Sequence, residues 1–433
     1  MSKQLMTLIA LVGAAACGDD VTQQPDAAQQ PDASQPDAPV VSTCTPKPLR
    51  SDLTWYGNNR ADIGAWIAAA GCESPTYDAA KKPIALFDWD NTIGKNDFGD
   101  AITFYMIAQG KVLQPPNQDW GETSPYLTAE AKTALTTACG TTVAAGQPLP
   151  TNTDSDCALE MLKLYIDGTT VAGQPGWSGH NSRWMEPTYA WTAQLMKGYT
   201  HAEIQQFSTA AIGPQLTATE GATQTIAGRS LNGWLRIYDQ SKDLIEVIKS
   251  QGYDVWVITA SPQDVIQTFA PMVGINADHV IGIRSKTDSA GKLTYKFEGC
   301  GTVPDDNQQM ISYIQGKRCW VNKVVFGDTT AAAMQKRPDG KRWYFAAGDS
   351  DTDIEFLRDA QYRLVINRNK TEIMCHAYYN SNDGWRINPM FIKPRAMKSS
   401  AYTCSTSCYN GSGTPCLDDA NNVIPNQTDT VHN

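Results

Sequence analysis

Positive charge is scarce along this chain. Its 35 Lys and Arg residues face 45 Asp and Glu, for a formal net charge of −10 and a pI near 5.0. A nucleic-acid partner needs a basic face, so that class is excluded. An anionic small molecule stays open, provided a metal and local Lys or Arg invert the sign inside a site. The apolar stretch from Leu5 to Val12 is too short to anchor a chain across a bilayer. Residues 18–43 have no aromatics, so nothing there can be buried. Cys404, Cys408 and Cys416 have no second close-spaced Cys/His pair beside them, which disfavours a structural zinc site.

What is present begins with an export signal. Lys3 precedes the apolar stretch, and Gly13-Ala14-Ala15-Ala16 leads into Cys17. Small residues ending at Cys resemble a bacterial lipobox, with Ala14 where that pattern usually carries Leu; lipidation of Cys17 is the expectation. Gln-Gln-Pro-Asp-Ala repeats follow, predicting an extended tether over 18–43. Ten further cysteines in an exported chain predict disulfides. Cys139 with Cys157 and Cys300 with Cys319 are candidate pairs, and the connectivity is otherwise open.

Three apolar runs carry the chemistry. Ile84-Ala85-Leu86-Phe87 ends in Asp88-Trp89-Asp90-Asn91-Thr92, Val255-Trp256-Val257-Ile258 in Thr259-Ala260-Ser261-Pro262, and Tyr344-Phe345-Ala346-Ala347 in Gly348-Asp349-Ser350-Asp351-Thr352-Asp353. Helical patterns lie between, at Ser241–Ser250, from Gln263 and from Ile354. Continuous apolar strands alternating with helices predict a parallel sheet covered on both faces. In such sheets ligands sit at the carboxyl ends of strands. Asp88 and Asp90, two residues apart on extended backbone, point to one side and need a cation or a shared proton to coexist. A divalent metal with oxygen ligands meets that need.

Residues 96–230 are too many for a structureless loop. Helical signals at Phe98–Ala108, Leu159–Tyr165 and Tyr189–Met196, and a Thr200/Glu203 capping box, predict a mostly helical domain inserted after the first strand. The expected organisation is therefore a signal over 1–17, the tether over 18–43, a helical lead-in and first strand over 44–95, the inserted cap over 96–230, the rest of the core over 231–374 and a Cys-rich tail over 375–433.

These motifs, in this order, resemble the haloacid-dehalogenase-superfamily phosphatases with a helical cap after the first motif. The resemblance implies a Rossmann-like α/β core. It implies Asp88 as nucleophile forming an aspartyl-phosphate, and Asp90 as general acid and base. Thr259 would bond a phosphoryl oxygen, with Thr92 and Ser261 as further substrate contacts. Mg²⁺ would sit on Asp88, Asp349, Asp353 and the Asp90 backbone carbonyl. Gly316-Lys317, with Val321 four residues on, resembles the third motif. Lys317 is the expected phosphate-site lysine and Lys323 its rival; Lys336 and Lys341 flank a Pro-Asp-Gly turn and read as surface residues.

Among members of the superfamily, the first two motifs most resemble the exported phosphorylcholine phosphatases and their phosphoserine-phosphatase relatives. The expected activity is Mg²⁺-dependent hydrolysis of a small phosphomonoester at the cell envelope, with phosphorylcholine as best match. Phosphoserine or another small phosphomonoester is the alternative, and an anchored binding lipoprotein without turnover the rival class. Trp184 and Trp191 in the insert would offer faces to a quaternary ammonium. Spaced as one helical face with Thr188, they could equally pack inside the cap.

Overall fold

The computed structural model describes residues 44–409 and 413–432; the expected signal, Cys17 and tether lie outside them. Residues 44–433 form one compact unit. Six parallel strands build the central sheet: β1 (Ile84–Phe87), β2 (Asp254–Pro262), β3 (Val280–Ile283), β4 (Phe345–Gly348), β5 (Tyr362–Asn367) and β6 (Trp385–Pro389). Their spatial order is β6-β5-β4-β1-β2-β3. Leu86 of the central strand β1 stands opposite Ala346 of β4 and Trp256 of β2.

Period-two alternation explains why these strands read as unbroken apolar runs. Ala85, Phe87, Val257 and Ala347 pack on one face against α1 (Asn59–Ala69), α7 (Asp239–Ser250) and α8 (Gln263–Phe269) through Ile63, Leu244 and Val265. Leu86, Ile258, Ala346 and Val365 turn to the other face. There they meet α9 (Gln315–Val325), α10 (Ile354–Asp359) and α11 (Thr371–Tyr379) through Val321, Phe356 and Met374. The chain is thus a Rossmann-like α/β core.

Residues 96–230 hold five α-helices, α2 (Phe98–Ala108), α3 (Ala129–Cys139), α4 (Ser155–Leu162), α5 (Pro187–Gln194) and α6 (His201–Thr217), and three shorter helical turns. An antiparallel hairpin, Thr223–Ile226 with Arg229–Asn232, follows them. The capping box that opens α6 is present in both directions, Thr200 to the Glu203 amide and Glu203 to the Thr200 amide. Gly94–Lys95 pairs antiparallel with Arg236–Ile237, tying together the two ends of the stretch between β1 and α7. Arg236 also bonds the carbonyls of Gln215 and Leu216, which end α6.

Five disulfides join sequence neighbours: Cys44–Cys72, Cys139–Cys157, Cys300–Cys319, Cys375–Cys404 and Cys408–Cys416. Both candidate pairs are among them, and the three cysteines weighed as zinc ligands are all bridged. So many bridges indicate an oxidising compartment. Among the described residues no helix is long and apolar enough to cross a membrane. The segment from residue 375 is more than a tail, because it supplies the latter part of α11 and the edge strand β6.

Candidate active site

The turn after β1 sets the site. Asn91 takes a positive φ of 63°, a left-handed conformation that Asn tolerates better than most residues. Its side chain accepts the Asn96 amide at 3.1 Å. That turn buries Thr92, whose hydroxyl lies 3.1 Å from both Asp88 Oδ2 and Asp349 Oδ1. Carboxylates on neighbouring strands, β1 and β4, are thus held at one point. Thr92 is buried and does not line the cavity that Asp88 borders, and its hydroxyl is taken up by the two carboxylates.

Lys317 enters from the first turn of α9. It is fully buried and donates to Asp88 Oδ1 at 2.7 Å and Asp353 Oδ1 at 2.6 Å. Gly316 makes this entry possible, since a Cβ there would stand 1.9 Å from the Ile311 carbonyl oxygen. The competing lysines lie elsewhere. Lys323 Nζ bonds the Gly299 carbonyl at 2.7 Å, and Lys336 pairs with Asp419. Lys341 borders a separate surface pocket with Asp339 and Arg342.

Asp88 and Asp90 have different surroundings. Asp90 accepts the Phe98 amide at 2.8 Å, at the start of α2, and the Ser261 hydroxyl at 2.7 Å. Burial, and then the charge of Asp97, hold its carboxyl well above the ordinary range. Burial and Asp353 push Asp88 up, while the ammonium of Lys317 opposes them. Ser261 lines the cavity, but its hydroxyl serves Asp90. Thr259 is wholly buried beneath, accepting the Ser261 amide at 3.1 Å.

Oxygens of Asp88, Asp349 and Asp353 lie within 4.8 Å of one another, all buried. Lys317 and Arg368, which donates to Asp349 at 2.5 Å, supply two positive charges against these three carboxylates and Asp90. Hard oxygen donors with negative charge in excess fit a divalent cation such as Mg²⁺. The Asp90 carboxylate, committed to Ser261 and Phe98, stands outside that trio.

The cavity above these groups is narrow, about 40 Å³, and opens to solvent. Asp88, Asp90, Ser261, Asp349 and Arg368 line its floor, and Asp97, Gly99, Tyr165, Tyr189 and Thr192 line the wall from the insert. Trp184 and Trp191 are not among the lining residues, contrary to the sequence expectation. The Trp191 indole is fully buried, donates to Thr123 at 3.0 Å and packs edge-on to Trp177. The Trp184 indole donates to Gln315. Trp191 packs inside residues 96–230 and Trp184 joins them to Gln315 of α9, while Tyr165 and Tyr189 face the ligand space.

Asp97 caps α2 through the Asp100 amide, and Asp100 accepts the Tyr165 hydroxyl at 2.7 Å. Burial first, and then Asp97, push Asp100 up to about 8; burial likewise raises Asp97. An acid whose folded pKa exceeds its unfolded value of about 4 binds more protons when folded. Its stabilising effect is therefore complete below that value and is lost as pH rises towards 8. Thermal melts of metal-free protein should show the midpoint falling by a few degrees between pH 5 and pH 8, and Asp100→Asn should flatten that slope. An unchanged slope in the variant would remove this pair as its cause.

No protein-family model and no curated protein matches the chain. Among solved structures it is similar to a conserved functionally unknown protein from Anaerococcus prevotii DSM 20548. The TM-score is 0.56, with 18% identity over 79% of this chain and 94% of that one. A protein with unknown function from Bordetella pertussis Tohama I matches at TM-score 0.42 and 14% identity, over 71% of this chain and 98% of that one. A substrate-bound phosphoserine phosphatase matches at TM-score 0.29 and 13% identity, over 66% of this chain and 86% of that one. Asp88, Asp349 and Asp353 gather beyond the carboxyl ends of β1 and β4, and Lys317 reaches them from α9, the arrangement that the resemblance of the motifs implies.

Proposed function

We propose that this chain is a Mg²⁺-dependent phosphomonoesterase that works through an aspartyl-phosphate on Asp88. The observation that carries this reading is the contrast between two neighbouring carboxylates. Asp88 is paired with a buried ammonium, while Asp90 accepts only from neutral donors, the Phe98 amide and the Ser261 hydroxyl. The first attacks phosphorus; the second gives its proton to the leaving oxygen and later takes one from water. Asp88, Asp349 and Asp353 would hold the cation, which offsets the charge of the phosphoryl group. Lys317 holds Asp88 in place for attack and neutralises charge developing beside it.

The wall opposite the metal position is acidic and aromatic, formed by Asp97, Tyr165 and Tyr189 with Asp100 just behind. Carboxylates and tyrosine faces favour a cation, so the leaving group should carry an ammonium. Phosphorylcholine meets that description without a carboxylate to repel. Phosphoserine also carries an ammonium, but its carboxylate would face Asp97. The disulfides fit an exported enzyme, and a lipid at Cys17 would keep it at the envelope. Release of phosphate from a panel of phosphomonoesters, with Mg²⁺ and with EDTA, tests the reading. The expected order of kcat/KM is phosphorylcholine, then phosphoethanolamine, then phosphoserine, with activity lost in EDTA. A preference for phosphoserine sinks the choline assignment; no Mg²⁺-dependent phosphate release from any substrate sinks the enzyme.

A further inference from the structure

Arg368 follows β5 directly, at the same carboxyl edge of the sheet as the motif residues, and no part of the proposed reaction has used it. Its backbone is clamped on both sides. Asn367 donates through its side chain to Asp429 and to the Val431 carbonyl, and accepts the Asn369 amide at 3.0 Å. Asn369, at a positive φ of 60°, donates to the Ala396 carbonyl at 2.9 Å. The disulfide-bridged segment beyond residue 375 thus fixes where this guanidinium stands. Nη1 holds Asp349 Oδ2, while the buried Nε–H has no partner among the described residues. The side chain lines the cavity together with Asp88 and Asp349.

A buried guanidinium N–H without an acceptor costs free energy unless a ligand supplies one. The fork geometry of Arg matches phosphate oxygens, which take two parallel donors. Thr92 joins Asp349 to Asp88, and Arg368, anchored on the other oxygen of Asp349, borders the same cavity as Asp88. On the opposite wall, Asp97 opposes any carboxylate of a leaving group. Building on the proposed function, we propose that Arg368 is a second phosphate-binding cation, donating to a non-bridging phosphoryl oxygen on the side away from Lys317. The bridged C-terminal segment is then the brace that holds this donor in place.

Equilibrium binding of inorganic phosphate at fixed Mg²⁺, measured by calorimetry, tests the assignment without turnover. Arg368→Gln keeps an amide able to reach Asp349 but loses the charge and the fork. It should weaken phosphate binding about ten- to a hundredfold, with Mg²⁺ affinity in the absence of phosphate within about threefold of wild type. Arg368→Lys should fall between the two. Thermal midpoints and near-UV circular dichroism confirm that each variant is folded. Phosphate affinity unchanged in Arg368→Gln overturns the proposal. So does a loss of phosphate affinity fully accounted for by lost Mg²⁺ affinity, which would make Arg368 only a positioning residue for Asp349. Weaker L-serine binding with phosphate binding intact assigns Arg368 to a leaving-group carboxylate and overturns it equally. If wild type releases no phosphate from any ester yet binds phosphate through Arg368, the proposed function fails and this inference stands.

Discussion

Asp88→Asn should abolish phosphate release, lowering kcat by about four orders of magnitude or more. The amide has the shape of the carboxylate but no negative charge to place on phosphorus. Asp88 is buried and accepts from Lys317 and Thr92, so the replacement keeps the volume and two of the contacts. Asp90→Asn should behave differently, and the difference is the sharper test. With p-nitrophenyl phosphate the leaving group departs without a proton, so attack by Asp88 continues. The second step lacks its base, so a phosphorylated enzyme should accumulate, with a burst of one p-nitrophenol per chain and a slow steady state. Acid quench and mass measurement of the Asp88 peptide would show the added phosphate. An Asp88→Asn variant that still turns over would remove the aspartyl-phosphate route. If instead wild type and variant bind phosphorylcholine equally and neither releases phosphate, the chain is a binding protein.

The parts of this site that were readable in the sequence share one property: each follows a continuous apolar strand. Such a run means burial on both faces, and its end marks where the backbone reaches the ligand edge. Asp88, Asp90, Ser261, Asp349 and Asp353 were found in this way. Arg368 obeys the same rule behind Leu364-Val365-Ile366, yet a lone Arg after a strand has no partner spacing to set it apart. Lys317 was legible only through its Gly, and the structure gives the physical reason in the close approach of Gly316 to Ile311. The cap wall was not legible. Tyr165 belongs to an irregular turn that continues α4, Lys163–Asp167, and Tyr189 to α5. Which face of a helix meets the ligand depends on packing partners far away in sequence. That dependence also misassigned Trp184 and Trp191, whose indole N–H groups are satisfied within the protein. The edge strand β6 was hidden because Trp385-Arg386-Ile387-Asn388-Pro389 alternates rather than running apolar, as an edge position allows.

Lys317→Met should cost about 3–5 kcal/mol of stability in metal-free protein. The ammonium is fully buried between Asp88 and Asp353, themselves 7% and 0% exposed. Burial pushes its pKa down, but the two carboxylates more than offset this and hold it above the ordinary lysine value. The sign follows: a lysine with its folded pKa raised contributes its full stabilisation at every pH below its unfolded value, so the loss should be complete at pH 7. Met fills much the same volume with no cation, leaving three carboxylates facing one another with only Arg368 nearby. Urea midpoints at pH 7, with and without Mg²⁺, measure the effect. Without the ion the midpoint should drop steeply. With millimolar Mg²⁺ the loss should shrink, because a divalent cation on Asp88, Asp349 and Asp353 offsets the repulsion that the lysine had offset. Activity should stay low in both conditions, since the metal restores charge balance but not the donor that holds Asp88 for attack. A variant as stable as wild type without metal would mean that the carboxylates hold protons there. A variant that regains full activity with Mg²⁺ would remove Lys317 from the reaction and leave it a purely structural cation.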